Sequence, residues 1–153
     1  MERVKVLIRP YEAADFETIT ALWHKSKRQA FSYVNFQQTL TLQDDRVYFR
    51  DSLMMRCKVW VAEQEHRLVG FMAINGDYLD QLFIAVDHQR QGIGLALLNK
   101  AKALSPAGLR LHTFQRNKPA RAFYEREGFK STLYGVSAAP ELEPDVEYQW
   151  RPA

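Results

Sequence analysis

The chain has 153 residues, 46% hydrophobic and 25% charged, with a formal net charge of +3 and one cysteine. Such a chain suits one domain with a sizeable core and excludes a disordered, collagen-like or disulfide-stapled protein. The charge is only mildly basic, and no block of about five or six like charges occurs, which argues against a nucleic-acid partner; no run of roughly 18 apolar residues suggests a membrane span.

Val4 to Arg9 alternates apolar and charged residues and is predicted to be a strand stopped by Pro10. The same stretch lacks the apolar core of a secretory signal, so a cytoplasmic protein is expected. Asp15 is placed to cap a helix whose Phe16, Ile19, Leu22, Trp23 and Ser26 follow helical spacing. Lys27 to Leu42 is polar-aromatic and irregular, a loop with helical turns, after which Asp44 or Asp45 is expected to cap a helix reaching Met54 or Met55. Val59–Ala62 and Leu68–Ile74 form a hairpin around a polar turn at Gln64–Arg67. Asn75-Gly76-Asp77 is a second turn, leading into a strand from Tyr78 to Val86 that is apolar enough at its end for burial on both faces.

The next helix runs to Leu104, with Leu97, Leu98, Ala101 and Leu104 on one face with Gly94, and Ser105, Pro106 and Gly108 end it. Leu109–Phe114 is a strand, Pro119 fits the first turn of a helix over Ala120–Glu127, and Gly128 stops that helix. Strands at Lys130–Ser137 and Val146–Trp150 complete the chain. This order predicts a mixed α/β (α+β) sheet in a single domain over residues 1–153, with Tyr78–Phe114 a parallel, right-handed crossover.

Two glycines, Gly92 and Gly94, stand where the central helix should begin, although glycine inside a helix costs about 1 kcal/mol relative to alanine. A helix N-terminus presents unpaired N–H groups and partial positive charge, and residues without side chains let a phosphate reach them. Gln89, Arg90 and Gln91 add donors and a positive charge just ahead. The glycines are equally suited to close helix–sheet packing. The nucleotide-loop pattern ending in Gly-Lys-Ser/Thr is absent, and Leu97 stands where a dinucleotide fingerprint needs its third Gly or Ala.

Gln89-x-x-Gly92-x-Gly94 after an apolar strand, then Asn117, then Ala122–Phe129 (AFYEREGF), resembles the GNAT superfamily of acyl-CoA-dependent N-acetyltransferases. The stretch LVGFMAINGDYLDQLFI is similar to small bacterial members of the YjaB-like type. The resemblance implies a mostly antiparallel twisted sheet with a splayed parallel central pair and about four flanking helices. It implies acetyl-CoA as co-substrate, no metal, and an amine acceptor, small molecule or protein, that attacks the thioester directly in a ternary complex. Ile84, Ala85 and Val86 would pair with the pantetheine arm, and Arg90, Gln91, Gly92, Ile93, Gly94 and Leu95 would surround the pyrophosphate. Many relatives carry a basic or hydroxyl residue at the position of Leu95, so one side-chain contact is missing here. Asn117 would reach the pantetheine or substrate side, or simply cap its helix. Tyr124 would be the general acid for the leaving thiolate.

The chemistry has its own demands. A lysine-like amine has a pKa near 10.4, so roughly one molecule in a few thousand is neutral at pH 7 and a proton acceptor is required. His112, five residues before Asn117, is a candidate base because imidazole titrates near neutrality. Asp80, Gln81 or a chain of waters are alternatives, and a structural role for His112 stays open. Trp23, His24, Phe31, Tyr33 and Phe36 would wall the acceptor site or belong to the core. Lys25, Lys27 and Arg28 make that segment basic, which disfavours a strongly cationic acceptor. The competing reading is a non-catalytic acyl-CoA-binding module. Neither nucleic acid nor membrane is expected as a partner, and a monomer or homodimer fits.

Overall fold

The computed structural model describes residues 5–153, so Val4 of the first predicted strand lies outside the described residues. The strands are β1 (Leu7–Pro10), β2 (Lys58–Gln64), β3 (Arg67–Asn75), β4 (Tyr78–Ile84), β5 (Leu109–Phe114), β6 (Lys130–Val136) and β7 (Pro144–Trp150). The helices are α1 (Phe16–Ala30), α2 (Asn35–Thr39), α3 (Leu42–Tyr48), α4 (Met54–Arg56), α5 (Ile93–Leu104) and α6 (Lys118–Arg126). A wide π turn, Phe49–Leu53, joins α3 to α4, so the two form one irregular helical run.

Among the described residues the strands make one sheet in the order β1-β2-β3-β4-β5-β7-β6. Every pairing is antiparallel except β4–β5. Pro10 does not stop β1 but is its last residue, opposite Trp60, where an edge strand tolerates a missing N–H. The β2–β3 loop is two residues long, and Glu65 and His66 both take positive φ, the twist a tight hairpin needs.

Both faces of the central strands are covered, and β3 shows how. Phe71 and Ala73 point to a cluster with Ile19 and Trp23 of α1, Phe49 and Leu53. Met72 and Ile74 point the other way, to Leu97, Leu98 and Ala101 of α5 and to Tyr124 and Phe129. This is the period-two alternation of a strand buried on both sides. Gly70 is required for close approach: a Cβ there would lie 2.8 Å from Ile84 Cδ1 and 3.0 Å from the Phe83 carbonyl oxygen.

Two expected caps are replaced. Asp15 does not cap α1; it pairs with Arg9 and accepts the Glu12 N–H, closing the turn before the helix. Thr41, not Asp44 or Asp45, caps α3, and Asp44 completes a reciprocal capping box. Asp45 is thereby turned inward and is buried.

Candidate active site

β4 and β5 are the parallel pair, and they are in register only at Tyr78 and Arg110. Beyond that point the strands part. Between them opens a cavity of about 640 Å³, walled by Leu82 and Phe83 of β4, Leu111 to Phe114 of β5, α1, α2 and α6 residues, and the β6–β7 loop. Asp80 is an extra residue in β4: Gln81 faces Ala73 and Leu79 faces Ile74. Such a bulge reverses which backbone groups face which neighbour. The Ala85 N–H bonds to the Val69 carbonyl at 2.8 Å, so alternation turns the amides of Leu82 and Ile84 toward the gap. Of the expected pantetheine contacts, Ala85 therefore has its N–H committed to β3. The Ile84 carbonyl accepts from Ser26 Oγ at 3.1 Å and Gln89 Nε2 at 3.3 Å.

After β4 the chain makes a short helical turn at Val86–His88 and reaches α5 through two left-handed residues, Arg90 and Gly92. Gly92 caps α5 with φ 83° and supplies no side-chain bond, so the first N–H groups of α5 are left without a capping partner. A Cβ on Gly92 would meet nothing within 4 Å, so the need for glycine there is conformational and the space above the turn is open. Gly94 is different. A Cβ there would touch Phe123 at 3.7 Å and Ile84 at 3.9 Å, ordinary contact at the junction of α5, α6 and β4. Ile93 is buried, while Arg90, Gln91, Gly92 and Leu95 are exposed around the turn. None of residues 84–95 lines the large cavity, but α5 begins beside it, where a Cβ on Gly94 would lie 4.0 Å from the cavity residue Leu82.

Asn117 caps α6, its Oδ1 accepting the Ala120 N–H at 3.4 Å, and it also lines the cavity. Tyr124 projects from α6 into the core beside Phe123, Phe129 and Tyr148 and reaches the cavity wall. Burial alone raises its phenol above the ordinary 10.0, with no charged or hydrogen-bonding neighbour contributing. Arg121 binds the Tyr148 hydroxyl at 2.9 Å and Glu125 accepts from the same hydroxyl, which fixes α6 against β7. His112 is exposed and lines the cavity; its Nδ1 shares a 2.8 Å hydrogen bond with the Tyr78 hydroxyl, leaving Nε2 without a protein partner among the described residues. Burial and the Asp80 charge push the Tyr78 phenol up to about 12.

The aromatic residues after α1 divide. Trp23, Phe31 and Phe36 line the cavity. Trp23 is also core, 2% exposed, and its Nε1 donates to Gln81 Oε1 at 3.3 Å. Phe31 stacks edge-on against Phe83 and Phe114 across the gap. His24 and Tyr33 are not on the cavity wall. His24 Nδ1 is drawn to Asp45 at 2.6 Å, and Tyr33 lies under the Arg116 guanidinium, 4.4 Å from its ring centroid. The basic segment is also not what its composition suggests. Lys27 is buried, 2.6 Å from Asp45 Oδ1 and 3.8 Å above the Trp23 ring, and burial holds its ammonium below the ordinary Lys value.

The profile of the acetyltransferase (GNAT) domain matches residues 55–131, from the end of α4 to the start of β6. The chain is 30% identical over 124 residues to the peptidyl-lysine N-acetyltransferase YiaC of Escherichia coli, covering 80% of this chain and 82% of that protein. The chain belongs to the GNAT family of acetyltransferases. The solution structure of apo YjaB from Escherichia coli superposes with a TM-score of 0.80 at 26% identity, over 97% of this chain and 99% of that one. The PaiA N-acetyltransferase of Thermoplasma acidophilum, solved with coenzyme A, shares the fold at a TM-score of 0.72 and 17% identity, over 97% and 99%.

Within this GNAT domain, several site residues carry no motif. The bulge at Asp80 has no local sequence mark. Asp80 is held by Arg56, Nε to Oδ2 at 3.3 Å, and accepts from Gln81. Lys27 stands four residues after Trp23 on α1, so helical spacing already placed it on the inner face. The β6–β7 loop contributes Glu141, which accepts from Gln37 Nε2 of α2 at 2.9 Å, and Glu143, which Arg116 grips at 2.7 and 2.8 Å. Those pairings join segments far apart in the chain. Among the described residues no group of three or more His, Cys, Asp or Glu is arranged to hold a metal, and no helix is long and apolar enough to cross a membrane.

Proposed function

We propose that this acetyltransferase moves an acetyl group from acetyl-CoA directly to a primary amine, with both substrates bound together. The observation that carries the reading is the pairing of an uncapped, left-handed turn at Gly92 with a buried phenol at Tyr124, one at each side of the β4–β5 gap. The open space over Gly92 and the unpaired amides of Ile93, Gly94 and Leu95 fit a diphosphate, and Arg90 and Gln91 flank it. The free Leu82 and Ile84 amides fit an extended arm laid along the strand, which is how a peptide-like chain adds to a sheet edge. The PaiA N-acetyltransferase, which shares the fold, was solved with coenzyme A, and this supports the reading.

The amine attacks the thioester carbonyl after losing a proton. His112 Nε2, with Nδ1 held by Tyr78, takes that proton directly or through water. Backbone N–H groups beside the bulge stabilise the oxyanion as the carbonyl carbon becomes tetrahedral. The carbon–sulfur bond then breaks and Tyr124 gives a proton to the thiolate, while the attacking nitrogen, as it becomes the amide, releases its second proton through water and so restores the phenol. A phenol kept neutral by burial is a hydrogen-bond donor at every working pH, and the same apolar surroundings make a bare thiolate costly. This reading includes lysine side chains of proteins among the acceptors, since YiaC and YjaB bear the name peptidyl-lysine N-acetyltransferase.

The test measures thiol release from acetyl-CoA across amines, amino acids and lysine peptides, with calorimetry of coenzyme A alone beside it. Coenzyme A binding with amine-dependent thiol release is expected. Binding without release over the whole panel would leave a non-catalytic acyl-CoA module, and no binding would remove the phosphate turn from the account.

A further inference from the structure

The side chains lining the cavity include one lysine and five carboxylates: Lys27, Asp44, Asp45, Asp80, Glu141 and Asp145. Lys27 is neutralised by Asp45, and Asp80 by Arg56. Asp44, Glu141 and Asp145 have no cationic partner within 4 Å among the described residues. Asp44 is spent on its cap and is exposed. Glu141 is held differently. The Gln37 carboxamide fixes one of its oxygens, and its charge is felt by Lys27 across the cavity. The α2 segment and the β6–β7 loop meet at this bond, on elements other than the α6 helix that carries Tyr124. The acceptor compartment is thus aromatic along Trp23, Phe31 and Phe36 and negative at Glu141.

A carboxylate beside the reacting nitrogen would bind the ammonium but also keep its proton on, which opposes attack. A carboxylate on another wall binds a second cation without that penalty. We propose that the acceptor carries a second positive charge besides the amine that is acetylated, and that Glu141 is the group that recognises it. The inference rests on the transferase reading above for the identity of the compartment. It also reverses the expectation from the basic segment, since Lys27 is consumed by Asp45. Two sources offer the same chemistry: a small diamine, and a peptide lysine with a neighbouring arginine. In either, alkyl carbons lie along the aromatic wall and the far cation meets Glu141.

The test is calorimetry on the full chain saturated with coenzyme A, titrated with 1,4-diaminobutane and with n-butylamine. The diamine is expected to bind about tenfold more tightly, the scale of one charge-assisted hydrogen bond. In Glu141→Gln, which keeps an acceptor for the Gln37 amide, the two amines should bind nearly alike while coenzyme A affinity holds. Equal affinities in the wild-type chain, or a preference that survives in the variant, would overturn the proposal. Turnover of paired peptides, lysine with and without an adjacent arginine, separates the two sources. A preference for the arginine peptide that Glu141→Gln removes assigns the second charge to a protein substrate; a preference confined to the diamine assigns it to a small molecule. Diamine preference with no acetyl transfer to any amine would refute the transferase reading and leave the cation site in place.

Discussion

The two ends of the β4–β5 gap are built on different terms. The proposed cofactor end is local: β4, the turn at Arg90–Gly92 and the start of α5 are contiguous in the chain, and the groups it offers are backbone amides. The proposed acceptor end is assembled from α1, α2, β5 and the β6–β7 loop, and it is held by side chains joined over long separations, Gln37 to Glu141 and Arg116 to Glu143. Backbone cradles tolerate exchange of exposed side chains but not of conformation, whereas side-chain walls are the reverse. On the proposed assignment, such a difference would let one cofactor site serve acceptors of many kinds.

The largest expected effect comes where the two ends meet. Tyr124→Phe keeps the ring among Phe123, Phe129 and Tyr148 and removes only the hydroxyl. Turnover should fall at least about 100-fold, the usual scale for a general acid, while coenzyme A affinity by calorimetry stays within twofold. Turnover equal to wild type would take the phenol out of the chemistry. The pH profile gives the same group a second test. The Tyr124 phenol is raised by burial and Tyr78 stands at about 12. Both remain protonated through the alkaline range, so the rate should climb as the acceptor amine deprotonates and show no falling limb below about pH 10.

Gly92→Val attacks the cofactor end alone. A β-branched residue at φ 83° is strained by about 1–2 kcal/mol or more, although nothing blocks its Cβ. The turn should relax out of the left-handed region and scatter the amides of α5. Coenzyme A should bind roughly tenfold more weakly, with the acceptor KM little changed. Unaltered cofactor affinity would mean that the turn's conformation is not what holds the diphosphate.

Arg116→Met does the converse at the acceptor end. The Arg116 guanidinium holds the Glu143 carboxyl below the ordinary 4.5. A carboxylate with a depressed folded value adds stability that is complete above about pH 4.5 and is lost as pH falls through the lower folded value. The variant should melt a few degrees lower at pH 7, and the gap from wild type should close on acidification toward about pH 3. The acceptor KM should rise several-fold with cofactor affinity intact. A constant melting difference across that range would detach the effect from Glu143.

The contrast between the ends also explains what could be read from the chain. The element order, the hairpin at Glu65–His66 and the turn ahead of α5 follow from patterns within a few residues, and they stand as expected. Asp15 and Asp45 misled because a short carboxylate after a turn is a good cap in isolation, yet Arg9 and Lys27 offered each a stronger, nonlocal partner. His24 and Tyr33 were expected on the acceptor wall by their neighbourhood in sequence. Tertiary contacts with Asp45 and Arg116 turned both away. Gly70 and the bulge at Asp80 depend on how adjacent strands approach, which period-two alternation does not encode.

The smallest effect is a gain. Leu95 lies in the first turn of α5, 37% exposed, one residue past Gly94 and beside the uncapped amides. It contributes little to the core that Ile93, Leu97 and Leu98 make on the inner face. Leu95→Arg would place a guanidinium within reach of a diphosphate at that turn. A cation near a helix N-terminus opposes the helix dipole by a few tenths of a kcal/mol up to about 1, so melting should fall slightly without ligand. A bound diphosphate more than offsets this, since it pairs with the guanidinium through charge-assisted bonds. Coenzyme A should bind about three- to fivefold more tightly, and the gain should fade as salt screens it toward 1 M. Dephospho-coenzyme A, which keeps the diphosphate and lacks the ribose phosphate, should show the same gain. A gain seen only with the ribose phosphate present would place the arginine, and with it the turn, beside the wrong part of the cofactor.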